Sequence, residues 1–117
     1  MSSPNNLQSL NNDTIIDLIG NEPIKIRKFQ HEFLIQSASS LKEIVNYFNS
    51  NDFFNIKESA HFLKTSAKAI GAERSAYFLE SIEEQCLVNN KPAIKQLLIK
   101  LNTELKAIKS ELRNEEP

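Results

Sequence analysis

One of the two histidines in the chain, His61, lies among lysines at helical spacing. The stretch AHFLKTSAKAIGAE (residues 60–73) has lysines three and seven residues after His61, and another lysine lies four residues before it. At about 100° per residue, one arc of an α-helix holds all of these side chains. The arc comprises Lys57, His61, Lys64, Thr65 and Lys68.

This arc is suited to phosphoryl chemistry. A neutral imidazole is a nucleophile near neutral pH, because the ordinary pKa of histidine is about 6.5. Lysines one and two turns away would stabilise the negative charge of a phosphoryl group on the ring. Spacing alone fits a second interpretation, a histidine on a solvated, lysine-rich helix face. The two interpretations agree that His61 is exposed.

The helix that carries His61 must hold it away from the core. The pattern predicts a helix from about Phe53 to Ile70, after the turn cluster NSND at 49–52. Its apolar side chains recur at 4-3-4-3 spacing, which predicts a buried seam. The seam comprises Ile56, Ala60, Leu63, Ala67 and Ile70. His61 is displaced from this seam, and Phe62 flanks it.

Four more helices are predicted around this one. A short helix, capped by Asp13, covers TIIDLI and ends at Gly20. The others run from Asn21 to about Ser50, from 72 to 88 and from 94 to 112. The predicted fold class is all-α: an up-down-up-down four-helix bundle with a short additional N-terminal helix. Residues 1–11 are predicted to be a flexible lead-in, and residues 12–114 to form the domain.

Spacing also predicts which other side chains are buried. The aromatic residues at helical spacing are expected in the core: Phe29, Phe33, Phe48 and Phe78. Cys86 is expected to be a small core residue, and His31 to lie on the surface.

Composition excludes several classes of function. A net charge of −1 gives no general attraction to nucleic acid or anionic lipid. No signal peptide and no apolar run of about 20 residues is visible, so we expect no membrane insertion and a cytoplasmic location. Two histidines 30 residues apart and one cysteine do not make a metal site, and we expect no bound cofactor. Neither glycine belongs to a phosphate-binding loop, so no ATP-dependent autokinase activity is expected.

Residues 60–83, AHFLKTSAKAIGAERSAYFLESIE, resemble the motif of histidine-containing phosphotransfer (HPt) domains, roughly A-H-x-L-K-G-x-x-x-x-x-G-A. The matching residues are Ala60, His61, Leu63, Lys64, Gly71 and Ala72. Glu83 stands where the family commonly has Glu or Gln, and the resemblance extends over about residues 13 to 113.

The resemblance implies a role for each matching residue. His61 would be the phosphoacceptor, usually through Nε2, with Lys64 beside the phosphoryl group and Lys68 adding to the favourable field. Gly71 would end the histidine helix, and Ala72 would start the next one. The implied function is a phosphorelay intermediate of two-component signalling, a monomer that carries the phosphoryl group between aspartates of response-regulator receiver domains. The receiver would supply Mg²⁺. A hybrid sensor histidine kinase is a further expected partner, or the longer chain to which this domain belongs.

Thr65 departs from the family pattern, which has glycine at this position. A β-branched side chain beside the imidazole could hinder a docking receiver, or its hydroxyl could bind the ring or the phosphate. The partner interface is expected to comprise Lys57, His61, Phe62, Lys64, Thr65 and Lys68. Because of Thr65, a second function is kept: an unphosphorylated adaptor or inhibitor that binds a receiver or a sensor kinase. A purely structural helical bundle is a third alternative.

Overall fold

The computed structural model describes residues 6–115, and these form five helices and no strand. The helices are α1 (Asn12–Ile19), α2 (Pro23–Asn49), α3 (Phe53–Ala69), α4 (Glu73–Leu87) and α5 (Lys91–Glu115). The all-α class is therefore confirmed for this part of the chain. Residues 1–5 of the predicted lead-in lie outside the described residues.

Polar side chains set the starts of two helices. The Oδ1 atom of Asn11 accepts from the backbone N–H of Asp13, so Asn11 caps α1 and the predicted cap, Asp13, is wrong. Asp13 lies in the first turn, where its charge favours the positive end of the helix. In α3, Asp52 is the N-cap and accepts from the backbone N–H of Asn55 at 3.2 Å. The cap fixes where α3 begins, and burial of its apolar seam turns His61 away from the core.

The four long helices pack mainly on their neighbours in the chain. α3 packs closely against both α2 and α4, and α4 packs against α5, whereas α2 and α5 meet only loosely. α1 contacts α2 and α3. No helix of residues 6–115 is long and apolar enough to cross a membrane.

The core is formed by buried apolar side chains from all five helices of the described residues. The predicted seam of α3 is buried throughout, and Cys86, Phe33 and Phe78 are buried as predicted, while Phe48 is partly buried. Phe29 is 43% exposed, so its predicted place in the core is wrong.

The cause is its neighbour, Gln30, which occupies the inward position of α2. Gln30 is 4% exposed, and its amide Nε2 donates to Oδ1 of Asn12 at 3.0 Å. A polar side chain thus takes the core-facing position that the apolar pattern assigned to Phe29. His31, expected on the surface, is half-buried.

The end of the lead-in contacts the start of α4. The backbone N–H of Asn11 donates to the carbonyl of Gly71 at 2.8 Å, and that of Arg74 donates to the carbonyl of Gln8 at 3.1 Å. Both carboxylate oxygens of Glu73 accept, one from the backbone of Gln8 and one from the amide of Asn11, each at 3.0 Å. Residues 8–11 therefore bridge the turn between α3 and α4.

Candidate functional site

His61 lies near the middle of α3 and faces solvent. Its side chain is 62% exposed, whereas Ala60 and Leu63 of the buried seam are inaccessible. A partner molecule can therefore reach the imidazole, while the backbone beneath it is fixed by a packed helix.

Glu83 of α4 holds one side of the imidazole ring. Its Oε1 atom lies 2.8 Å from Nδ1 of His61, and its side chain is 15% exposed. A carboxylate can only accept a hydrogen bond, so Nδ1 carries the proton of this contact. In the neutral ring the lone pair is then on Nε2. The contact thus leaves the lone pair of the neutral ring on Nε2, in a side chain that is mostly exposed.

Lys64 forms a salt bridge with the second carboxylate oxygen of Glu83. Its Nζ atom lies 2.7 Å from Oε2 of Glu83, and only 14% of its side chain is exposed. Lys64 is therefore not the open cation that its place on the arc predicts. It offsets the charge of Glu83, which would otherwise repel a phosphoryl group on the neighbouring ring.

Lys68 remains as an open cation on the His61 face. It is exposed, and it forms no ion pair with any residue from 6 to 115. Lys57, one turn before His61, is half-buried, and its ammonium lies 5.6 Å from the ring centroid of Phe54. Phe54 is 65% exposed and Phe62 is 69% exposed, so two aromatic rings lie on the surface at or near this face.

Thr65 is exposed, but its hydroxyl is engaged within the helix. Its Oγ1 atom donates to the backbone carbonyl of His61 at 3.2 Å. This is the common back-bond of a mid-helix threonine to the residue four positions earlier. The hydroxyl therefore donates to the helix backbone rather than to the imidazole ring, and the side chain adds bulk to the exposed face of α3.

Gly71 and Ala72 form the turn that places α4 beside α3. Gly71 has φ +77, and the N–H of Ala72 returns to the carbonyl of Ala67 at 2.8 Å. A Cβ atom at Gly71 would collide with the backbone carbonyl of Asn11. Glycine is therefore needed for its conformation and for its lack of a side chain.

The sequence identified His61, Lys64, Lys68 and Thr65 but did not include Glu83 among the site residues. The resemblance marks Glu83 only as a position where the family commonly has Glu or Gln, and 22 residues separate it from His61. Only the register of α4 on α3 brings the two together. In the described part of the chain, no group of three or more His, Cys, Asp or Glu side chains could hold a metal ion.

Comparison with known proteins adds two findings. The chain matches the family model of the Hpt domain over residues 28–113. Its structure is similar to that of histidine-containing phosphotransfer protein B (HptB) from Pseudomonas aeruginosa PAO1, with a TM-score of 0.82 and 16% sequence identity over 92% of this chain and 93% of that one. At that identity the likeness shows a shared fold. No curated protein matches the chain.

Proposed function

The chain belongs to the Hpt domain family, which serves phosphotransfer in two-component signalling, and we propose that it carries the phosphoryl group on His61 between aspartates of receiver domains. The observation that supports this most is the contact between Nδ1 of His61 and Glu83, at 2.8 Å. It directs the lone pair of the ring to the exposed Nε2 atom.

The proposed transfer forms one bond and breaks one. Nε2 of His61 attacks the phosphorus atom of an aspartyl phosphate on a receiver domain. The bond between phosphorus and the aspartate oxygen breaks, and that aspartate leaves as a carboxylate. Nδ1 keeps its proton and its hydrogen bond to Glu83, which favours the positive charge that the substituted ring gains. The reverse step passes the phosphoryl group to a second receiver.

The charged side chains near the imidazole ring support the proposal that it carries a phosphoryl group. Lys68, two helical turns after His61, would attract the phosphoryl oxygens, and Lys64 pairs with Glu83 on the Nδ1 side. The receiver would supply Mg²⁺, the other cation that in-line phosphoryl transfer uses. Positioning by rigid helices then supplies much of the remaining catalysis.

We also infer that α2–α5 form the predicted up-down-up-down bundle. The close packing of chain neighbours and the short connections between them support it. In that arrangement the receiver would dock on the outer surface of α3. The docking surface would comprise Lys57, His61, Phe62, Lys64, Thr65 and Lys68.

The proposal is tested by incubating the protein with a receiver domain that carries labelled aspartyl phosphate. We expect label on this chain that is stable to alkali and labile to acid, as a phosphoramidate is. His61→Gln should take up none, whereas His31→Gln, which changes the other histidine, should be labelled like the wild type. Equal labelling of His61→Gln would sink the proposal.

Thr65 supports the alternative function, an adaptor that binds a receiver without being phosphorylated. Its exposed side chain adds bulk beside His61. Thr65→Gly removes that bulk, at a cost in helix stability of about 0.5 kcal/mol. If wild type binds a receiver in a pull-down assay, and neither it nor Thr65→Gly is labelled, the adaptor function replaces the relay.

A further inference from the structure

An open groove runs between α2 and α5. It consists of two adjoining cavities of about 500 and 690 Å³, which share Ala38, Leu41 and Asn102 as lining residues. All lining residues belong to α2 or α5, whereas His61 and Glu83 lie on α3 and α4. The groove is therefore separate from the proposed phosphotransfer site.

The groove between α2 and α5 exists because the side chains at the middle of α2 are small. Ser37 and Ala38 belong to the stretch QSASS, and Ser37 is buried with its Oγ donating to the carbonyl of Phe33 at 2.7 Å. Because its hydroxyl is satisfied within its own helix, Ser37 presents little polar surface to the groove. Without large side chains at this point, α2 and α5 do not close on each other.

The groove exposes aliphatic side chains along its length. Ile35 is 71% exposed, Ile99 is 51% exposed and Val45 is 47% exposed. The half-buried Leu41 and Leu98 lie between the two helices. Scattered apolar side chains are ordinary on a protein surface, but a continuous row in a concave surface is typical of a binding site.

All the charged side chains that line the groove are basic, and no Asp or Glu is among them. These residues are Lys42, Lys95, Lys106, Lys109 and Arg113. None of them forms an ion pair with a described residue. The chain as a whole has a net charge of −1, so this concentration of unpaired cations is local. The cavity beside Lys68, by contrast, is lined by Glu73, Glu80 and Glu84 as well.

We propose that this groove binds an acidic amphipathic helix of a partner polypeptide. The lining of α2 extends from His31 to Asn49, which is about 27 Å of helix and matches a partner helix of about 18 residues. Leucine-type side chains of the partner would fill the cavities, and carboxylates on both sides would face the five cations.

Two other occupants fit the groove less well. An anionic bilayer is also attracted to basic and apolar side chains, but it covers convex or flat faces rather than the cleft between two helices. A second copy of this chain would have to supply an acidic helix with a free apolar face. α1 is eight residues long and spans about 12 Å. The more acidic α4 has its apolar side chains Leu79, Ile82 and Cys86 buried in its own core. The charge and the concave shape together favour a longer acidic helix.

The test uses a fluorescein-labelled, N-acetylated and C-amidated 18-residue peptide with leucine on one helical face and glutamate on the other. We expect saturable binding by fluorescence anisotropy that weakens as salt is raised. Chemical-shift changes in the full chain should map to residues of α2 and α5 and leave His61 unaffected. A scrambled peptide of equal composition should bind at least about tenfold more weakly, because it has no apolar face.

Variants separate the contributions of charge and apolar contact. The double variant Lys106→Glu, Lys109→Glu should weaken peptide binding about tenfold, and Ile99→Asp should weaken it comparably. The matched control is Lys28→Glu, Lys100→Glu, which reverses two exposed lysines outside the groove and should bind the peptide as wild type does. Far-UV circular dichroism checks that each variant is folded.

Four outcomes would overturn the proposal. The first is equal binding of the scrambled peptide, and the second is a footprint on α3 and α4. The third is binding to phosphatidylglycerol vesicles without peptide binding, which would assign the groove to a membrane. The fourth is a dimer in sedimentation that Ile99→Asp dissociates, which would assign it to a second copy. The inference does not rest on the phosphotransfer proposal, since His61→Gln should bind the peptide normally.

Discussion

Each carboxylate oxygen of Glu83 contacts a different residue of α3. Oε1 lies on Nδ1 of His61, and Oε2 lies on Nζ of Lys64. Removing this side chain would free the imidazole to rotate and would leave a mostly buried ammonium without its partner. We therefore expect Glu83 to position His61, in a role distinct from that of the ring nitrogen proposed to take the phosphoryl group.

The first prediction concerns this positioning role. Glu83→Ala should lower the rate of phosphoryl transfer by about tenfold or more, because both the ring orientation and the Nδ1 proton contact are lost. Glu83→Gln should lose less, because an amide oxygen can still accept from Nδ1. Single-turnover transfer from a phosphorylated receiver measures the rate. Glu84→Gln, at an exposed neighbouring position on α4, is the control. A rate for Glu83→Ala equal to that of the wild type would contradict the role.

The second prediction concerns Cys86, which lies on α4 one turn after Ile82. Burial, and secondarily the charge of Glu83, raises the pKa of the Cys86 thiol to about 11, and the residue is 5% exposed. Thiolate is the reactive form, so a disulfide reagent at pH 8 should modify the native protein slowly and the urea-unfolded protein quickly. Absorbance of the released thiol follows the reaction. Equally fast modification of the native protein would show that Cys86 is accessible.

For single residues, the sequence predicted which side chains are exposed better than it predicted which side chains they contact. The seam spacing of α3 correctly placed His61 outside the core. It could not show that Lys64 turns toward α4, because that depends on a carboxylate 19 residues along the chain. Periodicity describes one helix at a time, whereas the site is formed by two.

At the scale of helices and turns, Gly71 shows how closely the segments approach. Its positive φ of +77 coincides with contact of the Asn11 backbone, whereas Gly20, with φ +89, has open space where a Cβ atom would lie. Both glycines have a positive φ that would strain any residue with a side chain, but only Gly71 is in steric contact with another segment.

The third prediction uses this pair. Gly20→Ala should lower the free energy of unfolding by about 1–3 kcal/mol, because Gly20 has φ +89 and ψ 169, a combination that is essentially restricted to glycine. Gly71→Ala should lower it by clearly more, because the added carbon also displaces Asn11. Urea denaturation of both variants measures the difference. Equal losses of unfolding free energy in the two variants would mean that the Asn11 backbone moves away from the new side chain at no energetic cost.

Sequence patterns located all five helices, but a polar residue in the core misled the detail of α2. Apolar spacing favoured Phe29 as an inward residue, while Gln30 is the buried one, held by Asn12 of α1. That hydrogen bond requires the placement of α1 on α2, which no pattern within α2 contains. The cap of α1 was misassigned for a related reason, since Asn11 and Asp13 are both good capping residues.

On the scale of the whole molecule, Glu73 joins the lead-in to the helices. The N–H of Gln8 and, to a lesser extent, the amide of Asn11 hold the pKa of Glu73 below its ordinary value of 4.5. A carboxyl group with a lowered pKa stabilises the docked form above its ordinary pKa, and that contribution is lost as the pH falls below it.

The fourth prediction follows from the loss of this stabilisation at low pH. Between pH 6 and pH 2 the amide resonance of Gln8 should shift as Glu73 is protonated and the contact weakens, with most of the change below pH 4.5. Glu73→Gln should show the shifted position already at pH 6. Glu80→Gln, an exposed change on the same helix, should titrate as the wild type does. A Gln8 resonance that is insensitive to both pH and Glu73→Gln would contradict the proposed contact.

The engagement of Nδ1 of His61 by Glu83 also constrains the kinetics of the proposed relay. With Nδ1 covered by Glu83, a phosphoryl donor and a phosphoryl acceptor must both use the remaining ring nitrogen from the solvent side. They therefore cannot occupy the protein together, and transfer should follow a ping-pong scheme without a ternary complex. An excess of either receiver would then inhibit the half-reaction of the other, so the relative abundance of the two receivers would set the direction and the speed of phosphate flow.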